Sequence, residues 1–206
     1  MPQNIIKDYA GLLAEEKLPP GKRKSLETAI SLFAQQGFDG TSTAQIAKEA
    51  GVSQATIFKY FKTKDDLLLA ILGLIVPQVK NEFFSQLLEY EDLTAAIHFL
   101  VQDRWAFIKM NAPFLKILMQ QFLTNQDFKR EFLKNFQGLA DFQALQKIKE
   151  SHPNFRKDLP LASLIRRMAG PLLTYFYQTQ VLGLPSQDEA GDLADIEEEI
   201  LTNLTS

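Results

Sequence analysis

Residues 41–68 read TSTAQIAKEAGVSQATIFKYFKTKDDLL, a stretch with the start and stop signals of three successive helices. Ser42 has the position of a helix cap, and Gly51 interrupts the helix that follows it. Ser53 is suited to cap a second short helix, and Thr63 to cap a third, longer one. The stretch therefore predicts two short helices joined by a tight turn, with a long helix after them.

The two short helices meet the requirements of a helix-turn-helix. Ala47 is small enough for two helix backbones to approach closely, and Gly51 accepts the positive φ that a tight turn needs. The apolar residues that would hold both helices against a preceding one are Ile46, Ala50, Val52, Ile57 and Phe61. The side chains left on the outer face of the second helix are Gln54, Ala55, Thr56, Lys59 and Tyr60. Their amide, hydroxyl, methyl and ammonium groups suit contacts in a DNA major groove.

The charge distribution is uneven along the chain. The net charge is −3, but residues 17–64 carry eight lysines and arginines against three acids, a local charge of +5. The remainder of the chain then carries −8. This asymmetry is typical of a protein that places a small basic module on a polyanion, and it also fits a basic solvated surface.

The composition excludes several classes of site. The 206 residues are 46% hydrophobic, enough for a sizeable core, and include no cysteine and two histidines. Disulfides, thiol chemistry and cysteine metal sites are excluded, and a multi-histidine metal site is disfavoured. The chain lacks a signal-peptide pattern, and its longest apolar run, residues 67–76, is short for a bilayer. We therefore expect a cytoplasmic protein without a metal or other cofactor.

Helical periodicity continues to the end of the chain and predicts an all-α protein. Helices are expected near residues 21–36, 93–111, 114–123, 127–150, 161–182 and 188–204, with Pro77 kinking or breaking the helix that begins at Thr63. The predicted organisation is an N-terminal extension of open role (1–20), a three-helix helix-turn-helix domain (21–68) and a larger helical bundle (69–206).

Residues 22–68 closely resemble the N-terminal domain of the TetR family of bacterial transcriptional regulators. The resemblance rests on Ala-Gly-Val-Ser at 50–53, on the aromatic cluster Phe58, Tyr60 and Phe61, and on Lys-Thr-Lys-Asp-Asp-Leu-Leu at 62–68. It covers about a quarter of the chain. Phe58 departs from the family pattern, which has a tyrosine there, so a hydroxyl contact to phosphate is lost.

The resemblance implies an all-α homodimer that binds an inverted-repeat operator in double-stranded DNA. Such proteins usually repress transcription until a small molecule binds the larger domain. The implied phosphate contacts are Thr43, Tyr60 and Lys64, and the implied contacts to bases or adjacent backbone are Gln54, Ala55, Thr56 and Lys59. The cluster Lys22, Arg23 and Lys24 resembles a basic arm on the DNA backbone, or is a solvated surface.

The resemblance also implies a pocket for a lipophilic or aromatic effector in the larger domain. The residues predicted to line it are Trp105, Phe107, Met110, Phe114, Met119 and Phe122, each of which also suits an ordinary core position. The helix that carries Trp105 has apolar stripes on two sides and yet contains Asp103 and Arg104. Those charges would orient the polar end of a ligand, form a salt bridge to a neighbouring helix or lie at an exposed helix edge.

Two short helices reading a palindrome require a two-fold axis, so we expect a dimer. The last two helices are the predicted interface, through Ile165, Met168, Leu172, Tyr175, Ile196 and Ile200. An enzyme is disfavoured, because the Glu-x-x-His pairs of di-iron bundles, glycine-rich phosphate loops and nucleophile elbows are absent from the sequence. An adaptor that binds DNA and answers to a protein partner stays open as an alternative.

Overall fold

The computed structural model describes residues 9, 11, 13–14, 16–135 and 142–205, and it is all-α as predicted. The helices are α1 (Pro20–Gln36), α2 (Thr43–Ala50), α3 (Gln54–Tyr60), α4 (Lys64–Leu87), α5 (Leu93–Met110), α6 (Ala112–Thr124), α7 (Gln126–Asn135), α8 (Phe142–Ser151), α9 (Leu161–Phe176) and α10 (Glu189–Leu204). A π-helical segment, Tyr177–Val181, extends α9. The described residues contain no strand beyond an isolated bridge between Phe155 and Thr205.

Local capping explains where the helices of the N-terminal module begin. Ser53 Oγ accepts a hydrogen bond from the backbone N–H of Thr56 at 3.1 Å and so caps α3. At the start of α4, Asp66 accepts from the N–H of Thr63 at 3.0 Å, while Thr63 Oγ1 accepts from the N–H of Asp66 at 3.1 Å. This reciprocal pair is the capping box that the sequence predicts. Gly51 ends α2 with a φ of 64°.

Two predicted helices have different bounds in the structure. Helix α4 continues from Lys64 to Leu87 with Pro77 inside it, so of the predicted kink or break at this proline the break does not occur. The helix predicted over 127–150 is described as α7 and α8, and residues 136–141 between them lie outside the described part of the chain.

Residue contacts divide the chain into two compact units. The N-terminal unit contains the described residues up to 78 together with 111–135, and the C-terminal unit contains 79–110 and 142–205. Helices α6 and α7 thus pack with the helix-turn-helix residues, although they follow the boundary predicted at residue 68. The boundary at residue 68 separates a predicted DNA-binding domain from a predicted effector-binding domain, and this functional division stays a prediction.

The core of the N-terminal unit joins α1, α2 and α3, as the apolar seam predicts. Ile46 and Ile57 are fully buried beside Phe33 of α1. The predicted extension contributes to this core as well, because Tyr9 and Leu13 are 1% and 0% exposed. Residues before α1 therefore help to stabilise the unit.

Helix α4 supplies further core residues to the N-terminal unit, namely Leu67, Leu68, Ile71 and Leu72. Among the described residues it is the one helix long and apolar enough, by length and composition, to cross a membrane. The unbroken apolar run of 67–76 had indicated a shorter segment. A core helix of a soluble protein has the same composition, so this is weak evidence for a membrane.

The core of the C-terminal unit forms where α5, α9 and α10 pack together. The indole ring of Trp105 lies 4.6 Å from the Tyr175 ring, centroid to centroid. Leu172, Ile196 and Ile200 complete this core and are nearly inaccessible to solvent.

Candidate nucleic-acid interface

The outward face of α3 consists of four exposed side chains, Gln54, Ala55, Phe58 and Lys59. They share one face because residues three and four apart are neighbours on a helix. Three of them were predicted from the sequence. Phe58 was considered only for its missing hydroxyl, yet its ring is 49% exposed. Phe58 follows Gln54 by four positions, and this spacing in the sequence indicates that the two side chains share a helix face.

Thr56 and Tyr60 lie on a different side of α3 from the one predicted. Both are half-buried, and they face Gly21 at the start of α1. A methyl group added at Gly21 would lie 2.9 Å from Thr56 Cγ2, so the two helices approach closely at this glycine. The half-burial of Thr56 comes from the position of α1, which is a tertiary contact, and its role as a DNA contact stays a prediction.

Lys64 was predicted to contact phosphate, but its ammonium group is engaged within the protein. Nζ donates to the carbonyl oxygen of Phe38 at 2.6 Å and to that of Thr41 at 3.0 Å. It also lies 4.2 Å from the centroid of the Phe38 ring. Lys64 therefore ties the loop between α1 and α2 to the start of α4, and its contact with phosphate stays a prediction.

Two of the three residues of the predicted basic arm, Lys22 and Arg23, make contacts within the protein. The Arg23 guanidinium donates to the carbonyl oxygen of Glu16 at 2.9 Å, and Lys22 Nζ lies 5.8 Å from the Phe61 ring centroid. Lys24 is exposed, and Thr43 is half-buried in the first turn of α2. Of these four candidates, Lys24 presents the most accessible charge.

Hydrogen bonds join α6 to the helix-turn-helix residues inside the N-terminal unit. Gln120 donates to Asp39 Oδ2 at 2.7 Å, and Asn125 Nδ2 donates to Asp65 Oδ2 at 2.9 Å. Asp39 lies in the loop before α2, and Asp65 in the first turn of α4. A displacement of α6 would therefore act directly on both ends of the module.

An apolar cavity of about 440 Å³ lies inside the C-terminal unit. Helices α4, α5, α8 and α9 line it, and the lining includes Phe83, Phe84, Leu100, Ile108, Met168 and Leu172. Among the described residues of this lining, Arg104 is the one that is charged. Its Nε donates to Asp103 Oδ2 at 2.8 Å, and its Nη2 donates to the same oxygen.

None of the six residues predicted to line an effector pocket borders this cavity. Trp105 packs against Tyr175, Met110 is 41% exposed, and Phe114 is fully buried in the N-terminal unit. Phe122 packs on the rings of Phe128 and Phe132. Helix α5 has apolar residues on two sides, and periodicity alone does not tell which side meets a cavity.

A second groove, of about 500 Å³, separates α9 from α10 and is polar. Its lining includes Arg166, Arg167, Gly170, Thr174, Asp195 and Glu199. The predicted interface residues Met168, Leu172, Tyr175, Ile196 and Ile200 are buried inside the protomer, and only Ile165 is exposed. The apolar stripes of these two helices thus largely form the core of one chain, and the groove between the helices carries charged residues.

Charged groups surround the start of α10. Lys109 Nζ donates to Glu189 Oε1 at 2.5 Å, which lowers the pKa of the Glu189 carboxyl. Hydrogen bonds from Ser186 and Tyr175 lower the pKa of Asp192, and the Tyr175 hydroxyl lies 2.9 Å from Asp192 Oδ2. Both carboxylates lie in the first turn of α10, where they interact favourably with the positive end of the helix dipole.

Comparison with known proteins gives the same assignment for the N-terminal module. Residues 26–71 match the family model described as bacterial regulatory proteins, tetR family. The transcriptional regulator HbdR of Aromatoleum sp. is 31% identical over 108 residues, which cover 52% of this chain and 46% of HbdR. The chain thus spans less than half the length of this curated relative.

Solved structures share the fold over most of the chain. The fatty acid degradation regulator FadR of Bacillus halodurans superimposes with a TM-score of 0.69 at 22% identity, covering 90% of this chain and 97% of that one. The regulator FadR of Bacillus subtilis in complex with stearoyl-CoA gives 0.64 at 20% identity, with 89% and 97% covered. The helix-turn-helix segment is thus similar to the tetR family of bacterial regulatory proteins, and the chain shares its all-helical fold with these solved regulators.

Proposed function

We propose that this protein is a sequence-specific DNA-binding transcriptional regulator that acts in the cytoplasm as a repressor and catalyses no reaction. The observation that carries the proposal is the outward face of α3. Gln54 supplies an amide, Lys59 an ammonium group, and Ala55 and Phe58 supply apolar surface. These are the groups that read base edges in a major groove.

The exposed charges of the module support binding to a polyanion. Lys24, Lys48, Lys59 and Lys62 are all exposed, in a segment whose local charge is +5. Lysines that displace counterions from phosphates make affinity fall as salt rises. We therefore expect strongly salt-dependent binding, although the chain as a whole is acidic.

An inverted repeat requires two copies of α3 related by a two-fold axis. We propose that a second copy packs on the outer faces of α9 and α10. Arg166 of one chain and Glu199 of the other would be complementary across that axis, because a two-fold interface presents the same surface on both sides. Five of the six residues expected at the interface then serve each protomer's core, and Ile165 stays exposed.

The cavity of the C-terminal unit is the proposed effector site. Its apolar lining suits a lipophilic molecule, and its volume lies within the range of ligand pockets. A fatty acid regulator bound to stearoyl-CoA shares the fold, which supports a lipophilic effector in this chain. The hydrogen bonds from Gln120 and Asn125 supply a path by which α6 could act on the module.

A selection of bound fragments from genomic DNA tests the DNA-binding proposal. The expected result is enrichment of an inverted repeat. Gln54→Ala and Lys59→Ala should then each lose about 1–3 kcal/mol of binding free energy against the best site and relax its preference at particular base pairs. Gln36→Ala is the matched control, because Gln36 is exposed in the same module but lies at the end of α1.

Failure to recover any enriched sequence would contradict sequence-specific binding. If Gln54→Ala, Lys59→Ala and Gln36→Ala all lost the same binding free energy, α3 would not be the helix that contacts the bases. The adaptor alternative predicts a different pattern, in which DNA binds normally but no small molecule releases it and a protein partner does.

A further inference from the structure

In the part of the cavity wall that the structure describes, one group is charged, the guanidinium of Arg104. This group comes from the middle of α5, on the same stripe as Leu100 and Ile108, which also line the cavity. Its plane is held between aromatic rings, with the Cζ atom 4.1 Å from the Phe83 centroid and 5.0 Å from the Phe107 centroid. Arg104 is therefore fixed in position before a ligand enters.

The hydrogen-bond donors of Arg104 are only partly used. Both Nε and Nη2 donate to a single oxygen of Asp103, Oδ2, so the pair lacks the two-oxygen fork geometry of a full guanidinium–carboxylate pair. Nη1 makes no hydrogen bond to any residue of the described chain. Burial lowers the pKa of the Arg104 guanidinium, with pairing to Asp103 opposing that effect. The Arg104 side chain is 23% exposed, and a half-buried guanidinium with an unused donor gains from a hydrogen-bond acceptor in the cavity.

We infer that the cavity takes a lipophilic molecule that ends in a carboxylate, and that Arg104 binds this carboxylate through Nη1. The inference rests on the proposed function, in which this cavity holds the effector, and it names the chemical class. A carboxylate adds one negative charge beside the Arg104–Asp103 pair. A phosphate monoester would add close to two, and the described residues of the lining include no second cation to balance them.

Asp103 is the internal competitor of the ligand. Its side chain is 9% exposed and already occupies one edge of the guanidinium. Removing its charge should free donors of Arg104 for the ligand and strengthen carboxylate binding. An Arg104 that served only to neutralise Asp103 predicts no such gain, so Asp103→Asn separates ligand recognition from a structural ion pair.

The test compares dodecanoate with dodecanol, which share a chain and differ in the head group. Titrations of the full-length protein are followed by calorimetry and by the emission of Trp105, the sole tryptophan, which is buried on α5 beside Arg104. The wild-type protein should bind dodecanoate about tenfold to a hundredfold more tightly than dodecanol. Arg104→Met should abolish the preference, Asp103→Asn should increase it, and Arg130→Met, on the exposed surface of α7, should leave it unchanged.

Arg104→Met leaves the Asp103 carboxylate without its ion-pair partner, which can destabilise the fold. The double variant Asp103→Asn/Arg104→Met removes both charges and serves as the folded control. Equal affinities for dodecanoate and dodecanol in the wild-type protein overturn the inference, as does a preference that survives in the double variant. The inference is also overturned if the wild-type protein binds neither dodecanoate nor dodecanol.

Operator binding is measured on the same preparations. If the protein does not bind an operator but still prefers dodecanoate, the result contradicts the proposed function and leaves this inference standing.

Discussion

At the scale of single residues, Lys64 occupies a position where the sequence predicts a DNA contact, and in the structure its side chain stabilises the fold. Its Nζ bridges the carbonyl oxygens of Phe38 and Thr41. Replacing it with methionine leaves both acceptors without this donor. We expect Lys64→Met to lower the free energy of unfolding by about 1–3 kcal/mol, measured by urea denaturation.

The same variant should leave the salt dependence of DNA binding unchanged, because the ammonium group is already engaged. Lys62 is exposed two residues earlier and is the matched comparison. Lys62→Met should flatten the slope of log affinity against log salt by up to about one unit if that side chain reaches a phosphate. A flatter slope for Lys64→Met would restore Lys64 to the DNA contacts.

At the scale of elements, the turn between α2 and α3 depends on a glycine conformation. Gly51 has a φ of 64°, which residues with a Cβ adopt only with strain, although space around it is open. Gly51→Ala should therefore destabilise the protein by about 1–2 kcal/mol. Gly73, exposed in the middle of α4 with open space around it, is the control.

Gly73→Ala should change stability in the opposite direction, by about 0.5–1 kcal/mol, because alanine loses less backbone freedom in a helix. Thermal unfolding of both variants measures the pair. Destabilisation by both alanines would show that space, and not φ, decides the effect at Gly51.

The start of α10 should respond to acid. The folded-state pKa values of Glu189 and Asp192 lie below their ordinary values of 4.5 and 3.8. A lowered pKa means that ionisation stabilises the folded state at neutral pH and that this contribution is lost as pH falls through the folded-state values. Stability should therefore drop on acidification from about pH 5 to pH 3.

Asp192→Asn removes one of these carboxylates, so the variant should lose less stability over this range than the wild-type protein. Urea midpoints followed by Trp105 emission measure the difference. Glu91→Gln removes an exposed carboxyl elsewhere and should keep the wild-type profile. An unchanged profile for Asp192→Asn would remove this carboxyl from the acid response.

At the scale of the whole molecule, the charged outer surface of α9 and α10 predicts a salt-sensitive dimer. Arg166→Glu places an acid among Asp195 and Glu199 of the groove. We expect the dimer dissociation constant to rise about tenfold or more, measured by analytical ultracentrifugation at two salt concentrations. Adding Glu199→Arg should restore association, because the pair is then reversed on both chains.

Lys129→Glu reverses an exposed charge on α7 and is the control for net charge. A wild-type dimer that is indifferent to salt would contradict a charged interface. Charged substitutions at Leu172 or Ile200 are expected to unfold the protomer, since these side chains are 3% and 0% exposed within one chain.

The sequence alone determined the features that depend on neighbours within a few residues. The caps at Ser53 and Thr63, the turn at Gly51 and the apolar seam of the three N-terminal helices all lie where local spacing predicts them. Each of these signals works over three to five positions, the range of a helical hydrogen bond. The family of the N-terminal module follows from the same short segment.

Only the tertiary structure decided which face of each helix meets which partner. Gly21 of α1 turns Thr56 and Tyr60 inward, and two distant carbonyl groups hold Lys64. Helix α5 directs Arg104 into the cavity and Trp105 against Tyr175, although these two residues are adjacent in sequence. Helical periodicity places apolar residues on faces, but the partner of a face comes from helices tens of residues away.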